Sequence, residues 1–377
     1  MAYENVNNKN NDNYQLRYYI ALSAPPTRTP ADGTEPFMRA EAGFNPSWFH
    51  KHCGIDFSQR WHQDASYRFE SLEKMQQEVR RRFPGYNIGG AEEDTPPDLL
   101  TGLYGIAVVP ALFGQPITYF PDKWPQPAGQ PLTDKQADAL QPPDLENSEF
   151  FQGILDQVET IRRLAGTARG YLNWQGVLNV AFRLRGQAIF TDLFDAPARA
   201  HHIFECVADT IIDGLKRLHE AQKQTGVDED FATISNCVVN MISPQQYHEH
   251  VLPYDLKIRA AFDRFGIHNC AWVVDPYMDS YATVSRLGYI DMGITSDLQK
   301  AKSLFPLARR NVLYTAMDLA NKTERQIEAD FEKIAAELAP CDVGLPDIDI
   351  DVPDERVVFA MALCRRLSDK YGDRDND

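Results

Sequence analysis

The stretch NVLYTAMDLANKTERQIEADFEKIAAELAPCDVGLPDIDIDV, residues 311–352, reads as one strand–helix–strand unit. NVLYTA is a short apolar strand, and Thr323 with Gln326 three residues on forms a capping box that starts a helix. Ile327, Phe331, Ile334, Ala335 and Leu338 recur at helical spacing and line one apolar face. CDVGLPDIDIDV returns to an extended pattern. Pro353-Asp354-Glu355 then opens a last helix whose apolar face runs through Val357, Met361, Cys364 and Leu367. Strands on both sides of a helix imply parallel pairing with a right-handed crossover.

The same grammar extends upstream to about residue 233. TISNCVVNMI is a strand, followed by the cap Ser243-Pro244 and a helix through Tyr247, Val251, Leu256 and Ile258. IHNCAWVV leads into a helix around Tyr277 to Val284. GYIDMGI is closed by Thr295-Ser296-Asp297 and a helix reaching Leu304. The N-terminal half is less regular. SLEKMQQEVRRRFPG reads as a helix, GLYGIAVVPALFGQPITYF as strand-like with turns, and 121–143 as a Pro-rich surface excursion. Helices at 150–164 and 196–222 resume the alternation. With no GxGxxG after a strand and no Walker-type loop, the expected fold is an α/β TIM (β/α)8 barrel with an N-terminal extension. Residues 1–14, polar and Asn-rich, are expected to be a disordered arm, and 15–377 a single domain.

Composition narrows the partners. A net charge of −16 over 377 residues argues against nucleic acid or an anionic membrane, both of which select basic surface. No apolar run approaches the length of a membrane span. Six cysteines without CxxC or regular spacing do not form a disulfide framework, so a soluble, cytoplasmic protein is expected.

The residues that carry chemistry are His268 and Cys270 in FGIHNCAWVV, and Cys341 in ELAPCDVGLPDID. Each reads as standing at a strand end, where parallel α/β folds build sites. Residues two apart on a strand share a face, so one imidazole and two thiols are expected to converge on a soft cation such as Zn2+ with one position open. Spacing by itself more readily suits a core histidine hydrogen-bonded to backbone near two inert thiols. Cys206, Cys237 and Cys364 read as small buried hydrophobes.

MISPQQYHEHVLPYDLKIRAAFDRFGIHNCAW, residues 241–272, resembles the uroporphyrinogen decarboxylase superfamily, in which a Ser-Pro-x-x-Tyr/Phe helix start precedes His-x-Cys-Gly. The resemblance covers roughly residues 230–370, with fainter likeness upstream in RGQAIFTDLFDAPARAHHIFECV. The resemblance implies a TIM barrel. The true decarboxylases carry an arginine-bearing PVWxMRQAGRYxPEY phrase and use no metal. The nearest stretch here, RAEAGFNPSWFHKHCGIDF, lacks its paired arginines in register. His268, Cys270 and Cys341 match the His-x-Cys…Cys zinc ligands of the other branch, methyltransferases that work with corrinoid proteins. Ala271 stands where glycine commonly follows the cysteine, and GLPDIDIDVPDERVVF replaces the family's glycine-rich ending.

That resemblance implies a zinc-dependent methyltransferase acting between a small thiol, phenol or ether and a corrinoid (cobalamin) supplied by a partner protein, as a monomer or homodimer. Alternatives are a metal-free tetrapyrrole decarboxylase and a non-enzymatic cobamide- or tetrapyrrole-binding barrel. Within the first reading, Asp291 is a fourth ligand or a partner of His268, and His62 a titratable catalytic group. Trp61, Asn236, Asn240 and Asp347 are candidates to touch substrate. Each has a plain structural alternative: a helix cap or ion pair for Asp291, a solvated loop for Asp347, backbone contacts for the asparagines, and packing for Trp61 and His62.

Overall fold

The computed structural model describes residues 30–372 apart from 32, 34, 87 and 89–96. The polar arm expected over 1–14 lies outside the described residues. Six parallel strands form the central sheet: β1 (Met38–Phe44), β2 (Phe231–Ser235), β3 (Arg264–His268), β4 (Leu287–Gly293), β5 (Arg309–Leu313) and β6 (Cys341–Ile348). Their order is β1-β6-β5-β4-β3-β2, so first and last strands are neighbours and the sheet curls towards closure. Residues 168–174, which form no regular strand, run beside β2, where the Tyr171 hydroxyl accepts from the Thr233 amide at 3.0 Å. An isolated bridge then joins Arg169 to Asp98. The six parallel strands with their surrounding helices make a TIM-barrel-like α/β fold.

Local chemistry explains the elements. The longer helices are α1 (Ala65–Arg82), α2 (Glu149–Ala165), α3 (Val177–Arg185), α4 (Pro197–Lys223), α5 (Leu252–Ala260), α6 (Glu324–Glu337) and α7 (Asp354–Tyr371). Helix α6 starts at the Thr323–Gln326 capping box, with both reciprocal bonds made, a feature that stabilises a helix by about 1 kcal/mol. Its face Ile327, Phe331, Ile334, Ala335 and Leu338 is buried, as is the α7 face Val357, Met361, Cys364 and Leu367. Ser368 on α7 bonds both the amide and the carbonyl of Met38, tying the last helix to the first strand.

One departure from the sequence reading lies in the middle of GLYGIAVVPALFGQPITYF, where a 3-10 turn at Gly105–Ala107 runs into a short helix, Val108–Leu112; strand is confined to Ile117–Thr118, paired with Gln126–Pro127. An apolar run buried on all sides has no periodicity to separate strand from helix.

The strand register sorts side chains into two rows. Ser235 pairs with His268, which lies beside Asp291; Asp291 pairs with Asn311, Asn311 with Asp342, and Asp342 with Arg39. Registered residues in parallel strands point to one face, so these six form a buried polar belt. Asp342 accepts from Arg39 at 3.0 and 2.8 Å. The preceding residues, Ile234, Ile267, Ile290, Arg310, Cys341 and Met38, face the opposite way, towards the helices.

Candidate metal centre

The phrase Ile-Ser-Asn-Cys at 234–237 and the phrase Ile-His-Asn-Cys at 267–270 occupy the same heights on the adjacent strands β2 and β3. The two thiols therefore leave the sheet side by side. Cys270 Sγ lies 2.8 Å from Cys237 Sγ and 3.2 Å from His268 Nε2. Ligand atoms of all three residues lie within 4.8 Å of one another. Cys270 adopts a left-handed backbone with φ of 64°, a conformation that costs a non-glycine residue free energy and concentrates at functional sites. Beyond it, the Ala271 carbonyl approaches so close to Gly293 that a Cβ there would sit 2.3 Å from the oxygen. Glycine at the end of β4 is what lets the thiol-bearing loop fold down.

The imidazole is oriented from behind. His268 Nδ1 bonds Asp291 Oδ2 at 2.5 Å, and the Tyr289 hydroxyl donates to the same oxygen at 2.8 Å. The Asn269 amide donates to the other carboxylate oxygen. With Nδ1–H committed to Asp291, Nε2 presents its lone pair towards the thiols.

The two asparagines anchor the thiol-bearing turns. The Asn236 amide donates to the His268 carbonyl at 2.6 Å, and its side chain donates to Asp255 at 2.8 Å. Tyr247 also donates to Asp255, at 2.7 Å. Burial pushes the Asp255 carboxyl up to about 7, with the Asn236 and Tyr247 bonds opposing the shift. Asn269 accepts from Tyr281 at 2.7 Å. A Cβ on Gly176 would meet Asn236 Oδ1 at 2.2 Å, so the start of α3 packs directly on this turn.

Cys341 does not join the trio, which corrects its reading as a metal ligand. It is the first residue of β6, not the last, and lies in the helix-facing row. Its neighbours are Arg310 and Cys364, and burial, followed by Asp342, raises its pKa strongly. With α6 ending at Glu337, only three residues separate the helix from Cys341, so the cysteine has to open the strand. Cys237 stands in its place and leaves the donor set unchanged. The repeated Asn-Cys phrase on consecutive strands was the available signal.

The other candidates divide. Asp291 sits on His268. Asn236 is committed to Asp255. Asn240 is exposed on a 3-10 turn after β2. Asp347 is half-buried near the end of β6, with φ of 57°. Asp349 bonds Ser47 at 2.6 Å, so the DIDID acids do not form one row. Trp61 and His62 belong to an aromatic layer with Phe57, Trp124, Tyr104 and Tyr119, and neither touches the trio. His62 accepts from the Tyr104 amide at 3.0 Å, and burial, then Arg68, lowers its pKa to about 3.

Arg183 escaped the sequence reading. Asn179, one turn earlier on the same face of α3, accepts from the Val238 amide at 2.9 Å. This tether sets Arg183 within electrostatic reach of the Cys237 thiol. Burial lowers the Arg183 pKa, partly offset by Cys237. Its Nε is buried without a hydrogen-bond partner, and no carboxylate among the described residues pairs with it.

The profile of the family described as Uroporphyrinogen decarboxylase (URO-D) matches residues 91–311, more than half of the chain, including Cys237, His268, Cys270 and Asp291. The chain belongs to the uroporphyrinogen decarboxylase family. Among solved structures, a methyltransferase from Methanosarcina mazei superposes with a TM-score of 0.62 at 15% identity, over 89% of this chain and 95% of the other. That likeness establishes the shared barrel fold. A protein from Listeria monocytogenes, titled as a vitamin-B12 independent methionine synthase, aligns at a TM-score of 0.38 and 11% identity over 58% of this chain and 69% of its own. No curated protein sequence matches.

Proposed function

We propose that this protein is a zinc-dependent methyltransferase that moves a methyl group between a small thiol, phenol or ether and a corrinoid carried by a partner protein. The observation behind this reading is the convergence of Cys237, His268 and Cys270, with Asp291 fixed on the far nitrogen of His268. One imidazole and two thiolates suit zinc, and three protein ligands leave a position for substrate. Bound there, zinc would supply Lewis acidity that keeps a thiol or phenol anionic near neutral pH. The corrinoid would supply the methyl-carrying chemistry.

The chain's own residues do the rest. Asp291 keeps the proton on His268 Nδ1 and fixes the ring. Asn236 and Asn269 hold the two thiol-bearing turns against the buried groups behind them. Arg183, without a carboxylate partner beside Cys237, suits a carboxylate or sulfonate tail on the substrate. Met241, Val273, Met317 and Ile350 are exposed large apolar side chains on segments that follow β2, β3, β5 and β6. An apolar rim on that end suits a docking protein. The Methanosarcina mazei neighbour, itself a methyltransferase, agrees with this reading.

A tetrapyrrole decarboxylase is less well supported. Arg39, in the stretch nearest that branch's arginine phrase, is buried against Asp342 and Glu41 and has no free fork for a substrate carboxylate.

The test is metal analysis of protein purified without chelator, followed by methyl transfer with free cob(I)alamin. About one zinc per chain, lost in Cys237→Ser, together with methylcobalamin formation, supports the proposal. Metal-free protein that decarboxylates uroporphyrinogen at full rate overturns it.

A further inference from the structure

Away from the trio, a second pair of imidazoles meets where α4 crosses the segment leading into α5. His201 Nε2 lies 3.1 Å from His250 Nδ1, and the rings are inclined at 62°, so they meet edge to edge and do not stack. His250 stands in a π-helical turn, Tyr247–Val251. Such turns are rare and recur at functional sites. Pro253 supplies the local reason, because it cannot donate and would crowd the carbonyl four residues earlier in a tight α-helix. The widened turn sends Tyr247 inward to Asp255 and His250 outward to α4.

The tautomer of His201 follows from its other partner. The Tyr254 hydroxyl donates its single proton to the His201 carbonyl at 3.1 Å. With its proton there, the same oxygen accepts from His201 Nδ1, 2.9 Å away, in the tautomer that carries its hydrogen on Nδ1. In the neutral ring this leaves a lone pair on Nε2, aimed at His250. An imidazole whose outer N–H is fixed by an oxygen is the usual arrangement of a metal-ligating histidine. His250 can present its own lone pair from Nδ1 once its hydrogen moves to Nε2, which has no protein partner among the described residues. Two nitrogens each about 2.0–2.1 Å from one tetrahedral ion lie about 3.3 Å apart. The observed separation needs little adjustment.

Charge around the pair is balanced. Glu205, one turn along α4, accepts from Lys257, which also reaches Asp209. Lys257 is thus already paired with carboxylates. Burial, then His250, lowers the pKa of His201, which favours the neutral ring that a metal requires. Both histidines are half-buried, leaving water able to complete the coordination.

We propose that His201 and His250 form a second, solvent-accessible site for a borderline divalent cation, of the Zn2+ or Ni2+ class, pinning α4 to the turn before α5. The site shares no residue with Cys237, His268 and Cys270 and does not depend on their role.

The test is calorimetric titration of chelator-stripped full-length protein with Ni2+ and with Zn2+, in wild type, His250→Ala, His201→Asn and His248→Ala. His248 is an exposed histidine of the same turn and controls for adventitious binding. The expected result is the loss of one binding event, or at least a ten-fold weakening, in His250→Ala and His201→Asn, with His248→Ala unchanged. Cys237→Ser should retain this event, which separates it from the trio. A long-range 1H–15N imidazole spectrum of the wild type should show zinc-dependent shifts at His201 Nε2 and His250 Nδ1, and keeps the proposal testable should a variant misfold. Unchanged binding in both histidine variants, or imidazole resonances that zinc does not move, overturns it.

Discussion

Cys237 and Cys270 each stand two residues beyond a registered pair, Ser235 and His268, so neighbouring strands deliver two thiols to one point. Cys341, on the helix-facing row of another strand, cannot reach it. Cys237→Ser and Cys270→Ser should therefore each abolish metal retention through gel filtration, while Cys341→Ser should retain it. Cys341→Ser should instead lower stability by about 1–3 kcal/mol, because it buries a hydroxyl among apolar groups. Metal loss in Cys341→Ser equal to that in Cys237→Ser would refute the arrangement.

Asp291 receives His268, Tyr289 and the Asn269 amide. Asp291→Asn would turn an amide group towards one of these donors and loosen the ring. Metal affinity should fall about 10- to 100-fold while the barrel remains folded. Competition with a chromophoric chelator measures this directly, and an unchanged dissociation constant would remove Asp291 from the site.

How much of this was legible follows from period and length. The α6 face and its capping box could be read because fourteen residues of helix repeat the pattern several times. The segments beside β2 could not, because 168–174 pairs through single bonds and one bridge and leaves no alternation to detect. Cys341 was misplaced because it was taken to stand at the site-bearing end of a strand, whereas it opens β6 and lies in the helix-facing row. Arg183 had no local signal at all. Its meaning comes from Asn179 reaching Val238 across the fold.

Arg183→Gln should separate two classes of thiol. Binding of 2-mercaptoethanesulfonate to metal-loaded protein should weaken about 10- to 100-fold, the range of a charge-assisted hydrogen bond. Binding of neutral 2-mercaptoethanol should not change. Equal losses for both would mean that Arg183 supports the fold and does not read the substrate.

His62 should make the protein acid-labile. Its folded pKa is lowered from 6.5 to about 3, so between those values the unfolded chain binds a proton that the folded chain refuses. Stability is complete above the unfolded pKa and declines as pH falls through that window, by about 1.4 kcal/mol per pH unit at most. His219, lowered to about 4 by burial, adds in the same direction. Asp255, raised to about 7, opposes it, since its carboxyl is protonated more readily in the folded state. Denaturant unfolding from pH 4 to 7 should show a shallower slope in His62→Gln than in wild type. Identical slopes would show that His62 is protonated at little cost.

The bond from Ser368 to both backbone atoms of Met38, with β6 paired along β1, joins segments more than 300 residues apart. During synthesis, the first strand emerges long before the partner that flanks it exists. Until β6 and α7 clear the ribosome, β1 must wait with an open edge, where it can recruit a chaperone or another chain. Truncation of even the last few turns of α7 should therefore reduce the yield of soluble protein out of proportion to the contacts removed.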